Sequence, residues 1–420
     1  MLYTQNIEKC FSDRATKGAL KKDVFESNLA KIKAAKDDIK KYQDGIAKAI
    51  LESPDNQDIE SIKEVAKKIR NGFKALVIFG TGGSTLNPQS VVALQQEINP
   101  DFKIYFADNI DPIYMESLFN GIDIKITAFL AISKSGGTVE TVSQMLFALK
   151  KIEQAGVSPN NSFFVITEPN PSIIRNIGEE IGATILNHDE KIGGRFSTFT
   201  NVSLLPALIA GLDAELFCKG ASEAVEEFFS NNNSYPEEGA ALAITAMDAG
   251  LGVNVVMPYV RMLKPFTAWL SQIWAESLGK GGHGSTPLQA LGTIDQHSQL
   301  QLYLDGPNDK LFNIIGLHDE NIGPAISSKF TSSQNIEYLE GKTFAQINMA
   351  SQSGTIAALE AKNRPVREIT IERVDEESLG GLMMYFTIET ILTAQVLGIN
   401  AFDQPAVEDG KVRARKILGA

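Results

Sequence analysis

From Lys74 to Asn187 the chain repeats one pattern: a short run of β-branched and aromatic residues, a turn, then a longer stretch with helix-like apolar spacing. The short runs are "KALVIFG" (74–80), "FKIYFAD" (102–108), "ITAFLAIS" (126–133), "SFFVITE" (162–168) and "ATILN" (183–187). Short apolar strands alternating with helices form βαβ units, in which helices cover both faces of a parallel sheet. Ligands of such sheets bind outside the carboxyl ends of the strands. A second region of similar type begins near residue 240, with strands expected at "GLGVNVVMPYV" (250–260), "QLQLYLDG" (299–306), "LFNIIGL" (311–317) and "VREITIERV" (366–374). Residues 1–72 read as a charged helical arm, and "SLGGLMMYFTIETILTAQVLGI" (378–399) reads as a long apolar helix before a polar tail. The fold class is therefore α/β, with mostly parallel sheets and helical extensions at both ends. The expected division is 1–72 (arm), 73–230 (first α/β domain), 231–375 (second) and 376–420 (C-terminal helical segment), the link lying in the Asn-rich "FFSNNNSYPEEG" (228–239).

A chain of 420 residues is too long for one ordinary domain, and 43% hydrophobic residues supply ample core. The formal net charge of −12 argues against broad binding of nucleic acid or acidic membranes, so an anionic partner needs a local site. Cys10 and Cys218 are the only cysteines; they could pair, but their scarcity suits a reducing compartment. The charged "MLYTQNIEKCFSDRATK" lacks the apolar stretch of a secretory signal, and no uncharged apolar run reaches membrane-spanning length. A cytoplasmic home is expected.

Two turns at strand ends could supply the local site. "AISKSGGTVET" (131–141) leaves an apolar run, passes through Ser133, Lys134, Ser135, Gly136, Gly137 and Thr138, and enters a helix. Free N–H groups and the positive dipole end converge there, and the hydroxyls add donors, which makes a pocket for an anion such as a phosphate. "GTGGST" (80–85) fails as a dinucleotide fingerprint, because Thr85 stands at the third glycine position, and no Lys follows to make a P-loop. What remains is a turn whose Gly80, Gly82 and Gly83 let backbone approach a ligand, with Ser84 adding a hydroxyl.

Further along, "IGGRFSTFT" (192–200) sets Arg195 after two glycines, where a guanidinium suits an oxyanion or enediolate. "WAESLGK" (274–280) places Glu276 near the end of a helix carrying Trp269 and Trp274, which would surround it with aromatic groups. His297 in "GTIDQHSQLQ" is one of only four histidines, and "AFDQPAVEDGK" (401–411) carries Gln404 and Lys411. Singly, each stretch reads equally as ordinary surface or core.

Taken in order, these stretches resemble the glucose-6-phosphate isomerase (phosphoglucose isomerase) family from about residue 74 to residue 415. "EKIGGRFS" and "FDQPAVEDGK" look like its two signature regions, and "GTGGS", "SKSGGTVET", "AESLGK" and "DQHS" like its substrate loops. The resemblance implies two sugar-isomerase-type α/β domains, a homodimer with a shared active site, a hexose 6-phosphate substrate and no cofactor or metal. By motif, Ser133, Lys134, Ser135 and Thr138 would hold the sugar phosphate, while Gly83, Ser84 and Gln404 would border the sugar. Glu276 would be the base, Arg195 the stabiliser of the intermediate, and His297 and Lys411 the ring-opening pair, with the histidine given by the partner subunit. Thr81, the Gly136–Gly137 pair and Pro405–Ala406 depart from the usual pattern and suggest a compact bacterial-like branch. Two alternatives stay open: an isomerase that also accepts mannose 6-phosphate, and a sugar-phosphate-binding regulatory module without turnover.

Overall fold

The computed structural model describes residues 2–11, 19–41, 45–95, 102–231 and 233–419. Its strands are β1 (Tyr3–Asn6), β2 (Ala75–Phe79), β3 (Lys103–Ala107), β4 (Thr127–Ile132), β5 (Phe163–Thr167), β6 (Thr184–Asn187), β7 (Val253–Pro258), β8 (Thr286–Gln289), β9 (Lys310–Leu317) and β10 (Val366–Ile371). They form two five-stranded sheets, ordered β3-β2-β4-β5-β6 and β1-β10-β9-β7-β8. All pairs in the first sheet are parallel. The second is parallel except for β1, which runs antiparallel to β10 at its edge. The expected α/β class with mostly parallel sheets is thus the observed one.

Alternation along the strands of the first sheet sends side chains to opposite faces. Leu76, Ile78, Leu130 and Phe164 join the large core, whereas Val77, Phe79, Phe129 and Phe163 join a second cluster under other helices. Both faces are covered, which is why these strands read as unbroken apolar runs. The chain order reverses between β2 and β4, leaving a crevice at their carboxyl ends.

Three features of the second sheet depart from the sequence reading. The pattern over 299–306 predicts a strand, yet Leu300–Asp305 is a helix. Leu300, Tyr303 and Leu304, at helical spacing, all pack on one apolar cluster, and that burial outweighs the alternating pattern. Conversely, β1 lies within the arm expected to be helical and pairs with β10 from Tyr3 opposite Ile371 to Asn6 opposite Glu368. The short β8 has no counterpart among the expected strands. The candidate link at 228–239 holds the end of helix Ala214–Ser230 and the start of helix Tyr235–Asp248, with Asn232 outside the described residues.

The helix Glu376–Val396 is long and apolar enough to cross a membrane, but it is a core helix, buried along nearly its whole length. It crosses helix Ala214–Ser230 at backbone contact: a Cβ on Gly380 would lie 2.0 Å from the Phe217 carbonyl oxygen, and one on Gly220 would lie 1.9 Å from that of Glu377. Its Glu389 forms a two-pronged ion pair with Arg367 of β10, at 2.6 and 3.0 Å. Arg367 Nε also donates to Gln5 Oε1 of β1 at 2.7 Å. Burial pushes the Glu389 carboxyl above the usual range, against the pull of Arg367. Cys10 and Cys218 are both free and buried, and burial raises both thiols, that of Cys218 to about 12.

Candidate active site

The two glycine-bearing turns meet at the crevice between β2 and β4, whose carboxyl ends are aligned, with Phe79 opposite Ala131. Gly82 adopts φ +57° and precedes helix Gly83–Val92 without a side-chain cap. Thr138 precedes helix Val139–Gln154 and also makes no capping bond, because its hydroxyl pairs with that of Ser133 at 3.0 Å. Two helix N-termini therefore bring their first-turn N–H groups to one crevice, the electrostatics expected of an anion pocket. Gly136, at φ +62°, lets the 133–138 turn close over Ser172 and Thr167; a Cβ there would come within 2.0 Å of Ser172 Oγ. The exposed Ser135 accepts from the Gly137 N–H at 3.4 Å. Lys134 does not point wholly into the turn: Nζ donates to the Glu190 carbonyl at 2.9 Å and lies 3.5 Å from Glu168 Oε1.

The 80–85 turn also reaches the chemistry-bearing groups. A Cβ on Gly83 would lie 2.2 Å from the Gly194 carbonyl oxygen, and one on Gly82 would lie 2.8 Å from Gln272 Nε2. Asn87 ties these parts together, since Nδ2 donates to the Gly83 and Gly194 carbonyls at 2.7 and 2.8 Å. Thr198 in turn donates to Asn87 Oδ1 at 2.9 Å and accepts from Trp269 Nε1 at 3.1 Å. Ser84 borders the same turn, half-buried.

Arg195 is buried at the centre. Its Nε donates to Ser277 Oγ at 2.9 Å, and Nη2 donates to the Asp403 carbonyl at 3.0 Å and to that of Ala401. Its Nη1 donates to Gln404 Oε1 at 2.7 Å and faces Glu276 Oε2 at 3.4 Å. The other Glu276 oxygen accepts from Gln272 Nε2 at 3.1 Å, one helical turn earlier on helix Lys264–Leu278. The carboxylate is thus bracketed by a guanidinium and an amide. Burial lowers the Arg195 pKa, opposed by Glu276 and Asp403, and the group stays charged at any ordinary pH.

The expected aromatic surroundings of Glu276 are not found. Trp269 and Trp274 point into the core, while the Glu276 side chain is a third exposed and meets polar partners. The structure brings together Gly83, Ser84, Arg195, Glu276 and Gln404. Neither His297 nor Lys411 is bonded to them: both are exposed, and Lys411 Nζ pairs with Glu408 Oε1 at 2.7 Å. Among the described residues no hydrogen bond or ion pair joins either to Arg195 or Glu276. Sequence reasoning missed Asn87, Gln272 and Ser277. Only Gln272 carried a signal, its position four residues before the carboxylate.

The family model for phosphoglucose isomerase matches residues 47–420 of this chain. The chain belongs to the phosphoglucose isomerase family. A glucose-6-phosphate isomerase of Rubrobacter xylanophilus is 34% identical over 370 residues, 84% of this chain and 85% of that one. Among solved structures, a hypothetical protein of Thermus thermophilus superposes with a TM-score of 0.86 at 29% identity, covering 95% of this chain and 97% of that one. A glucose-6-phosphate isomerase of Chlamydia trachomatis shares the fold, with a TM-score of 0.84 at 20% identity over 100% of this chain and 88% of that one. Arg195 and Glu276 therefore lie in a chain of the phosphoglucose isomerase family, on a fold that it shares with the Thermus and Chlamydia proteins over most of their lengths.

Proposed function

We propose that the protein interconverts glucose 6-phosphate and fructose 6-phosphate, moving a proton between C1 and C2 through a cis-enediol. Membership of the phosphoglucose isomerase family is the observation that carries this reading. The site supports it: a partly exposed carboxylate, open to a ligand, lies 3.4 Å from a buried, permanently charged guanidinium. One carboxylate can serve both carbons, because their protons lie on the same face of a cis-enediol; Glu276 takes that role. Arg195 offsets the charge that develops on the enediol oxygen, an interaction worth far more in a fixed, poorly hydrated site than in water. The phosphate sits at Ser133, Lys134, Ser135 and Thr138, remote from the reacting carbons, so its binding energy orients C1 and C2 at the base. Gly83, Ser84 and Gln404 border the sugar.

Ring opening needs an acid–base pair, and His297 and Lys411 fill it across a homodimer interface, with the histidine coming from the partner subunit. Both are exposed, and neither is bonded to Arg195 or Glu276 within the described residues of one chain, which fits that arrangement. So does the exposure of the whole 403–419 segment, with Val412, Ile417 and Leu418 bare. The enzyme works in the cytoplasm, with the domain division at residues 73, 231 and 376. The test is incubation with fructose 6-phosphate in heavy water. Product glucose 6-phosphate should carry deuterium at C2, and Glu276→Gln should cut kcat by ~10²–10⁴. Turnover without any label at C2, or a Glu276→Gln variant with half the normal rate, refutes the proton-transfer reading.

A further inference from the structure

The turn at residues 400–404 is gripped by two cations from different parts of the chain. Arg195 holds the Ala401 and Asp403 carbonyls from one side. From the other, Lys280 Nζ meets Asp403 Oδ1 at 3.1 Å, the Asn400 carbonyl, and the Ser277 carbonyl at 3.3 Å. Lys280 is largely buried, with 14% of its side chain exposed, while Asp403 is about half exposed, so the cation end of the pair is fixed in the protein and the carboxylate end faces solvent. Inside the turn, Asn400 Nδ2 donates to Asp403 Oδ2 at 3.1 Å, and the Phe402 N–H donates to Asn400 Oδ1 at 2.9 Å. Upstream lies the buried core helix Glu376–Val396; downstream, every residue from 403 to 419 is exposed. The grip on this turn therefore decides where the last segment leaves the core.

Its effect reaches the reacting groups by a short route. Gln404 follows the clamped Asp403 directly, and its Oε1 accepts from the same Arg195 Nη1 that faces Glu276 Oε2. Arg195 has five N–H donors, and Ser277, Ala401, Asp403, Gln404 and Glu276 use all of them. A turn that drifts takes Gln404 and two carbonyls off the guanidinium, which is then free to rotate on its Ser277 contact and leave Glu276.

We propose that Lys280 is a positioning residue for the isomerisation. By clamping the 400–403 turn it sets Gln404 against Arg195, and so fixes the guanidinium opposite Glu276 without itself touching the reacting atoms. The inference rests on the isomerase reading of the site, but the clamp has its own readout. In the full-length enzyme, Lys280→Met keeps the stem and removes the cation. It should lower kcat ~10–100-fold, the scale of an ångström-sized misplacement, with a clearly smaller rise in KM for fructose 6-phosphate, because the 133–138 turn is untouched and only Gln404 shifts at the sugar. Hydrogen exchange should report lost protection at 401–407 and unchanged protection at β2 and β4. Lys280→Arg should recover most of the rate, and Asp403→Asn should reproduce a milder form of both changes in case Lys280→Met folds poorly. Normal kcat in Lys280→Met, or a fall in kcat with protection at 401–407 intact, overturns the proposal. Should the wild-type enzyme fail to turn over the sugar, the isomerase reading falls, while the exchange measurement still decides whether Lys280 holds the turn.

Discussion

Replacing Glu389 with Gln removes one charge from a fully buried pair while keeping its shape. Arg367 and Glu389 have side chains 1% and 2% exposed, so neither is solvated by water. After Glu389→Gln the guanidinium retains only neutral acceptors, among them Gln5 Oε1 at 2.7 Å and Asn313 Oδ1 at 3.1 Å. Stripping a buried ion of its counter-charge costs about 3–5 kcal/mol. Unfolding entropy near 60 °C is about 2 cal/mol/K per residue, so 420 residues melting as one unit carry about 0.9 kcal/mol/K, and the cost reads as a fall of about 3–6 °C in the midpoint. Scanning calorimetry at neutral pH measures it. The decisive comparison adds the double variant Arg367→Met, Glu389→Leu, which removes both charges and refills the volume. Because the penalty comes from an unpaired ion rather than from a lost bond, the double variant should melt above Glu389→Gln. A single variant within about 1 °C of wild type, or a double variant falling by the sum of the two singles, refutes this account of the pair.

Three other outcomes follow from the site. Gly83→Ala pushes a methyl into the Gly194 carbonyl, 2.2 Å away, and shifts Arg195; kcat should drop ~10²-fold while the far-ultraviolet circular dichroism stays that of the wild type. If the 133–138 turn holds the phosphate as proposed, Ser135→Ala and Thr138→Ala each remove a hydroxyl donor to it, which at about 1.5 kcal/mol should raise KM about 10-fold with little change in kcat; a change confined to kcat contradicts uniform binding. His188, buried with Nδ1 2.8 Å from the Asp189 carbonyl, has its pKa lowered, first by burial and further by Lys134, against that backbone contact. The unfolded imidazole takes up its proton near about pH 6.5 and the folded one only at lower pH, so the stability this group contributes is present above that pH and lost on acidification. Denaturant titrations of His188→Gln should show a flatter decline below about pH 6.5 than wild type; equal slopes contradict the assignment.

What the sequence makes legible is local. The turns after β2 and β4 announce themselves because glycine and hydroxyl residues break an apolar run at a strand end, and a single turn of chain contains the whole signal. Arg195 and Glu276 are legible only through motif resemblance, since nothing around either residue states that helix Lys264–Leu278 will carry one to the other. Ser277 escapes notice because its role depends on that same meeting, whereas Gln272 carries only the faint signal of its spacing, four residues before Glu276. Residues 299–306 mislead because Leu, Gln, Leu, Tyr, Leu satisfies an alternating and a helical pattern at once, and the neighbouring cluster decides. Asn87 lies on a helix beside Pro88, and no neighbouring residue hints that its amide bridges two loops.

The antiparallel pairing of β1 with β10 sets a timetable for synthesis. Gln5 and Arg367 stand 362 positions apart, so at about 5–20 residues per second the first strand leaves the ribosome roughly 20–70 s before its mate. Through that interval the nascent amino-terminal ribbon has no backbone partner. It closes the second sheet only after all nine other described strands have been made, so a stalled or truncated translation product retains an unsealed edge, open to another chain.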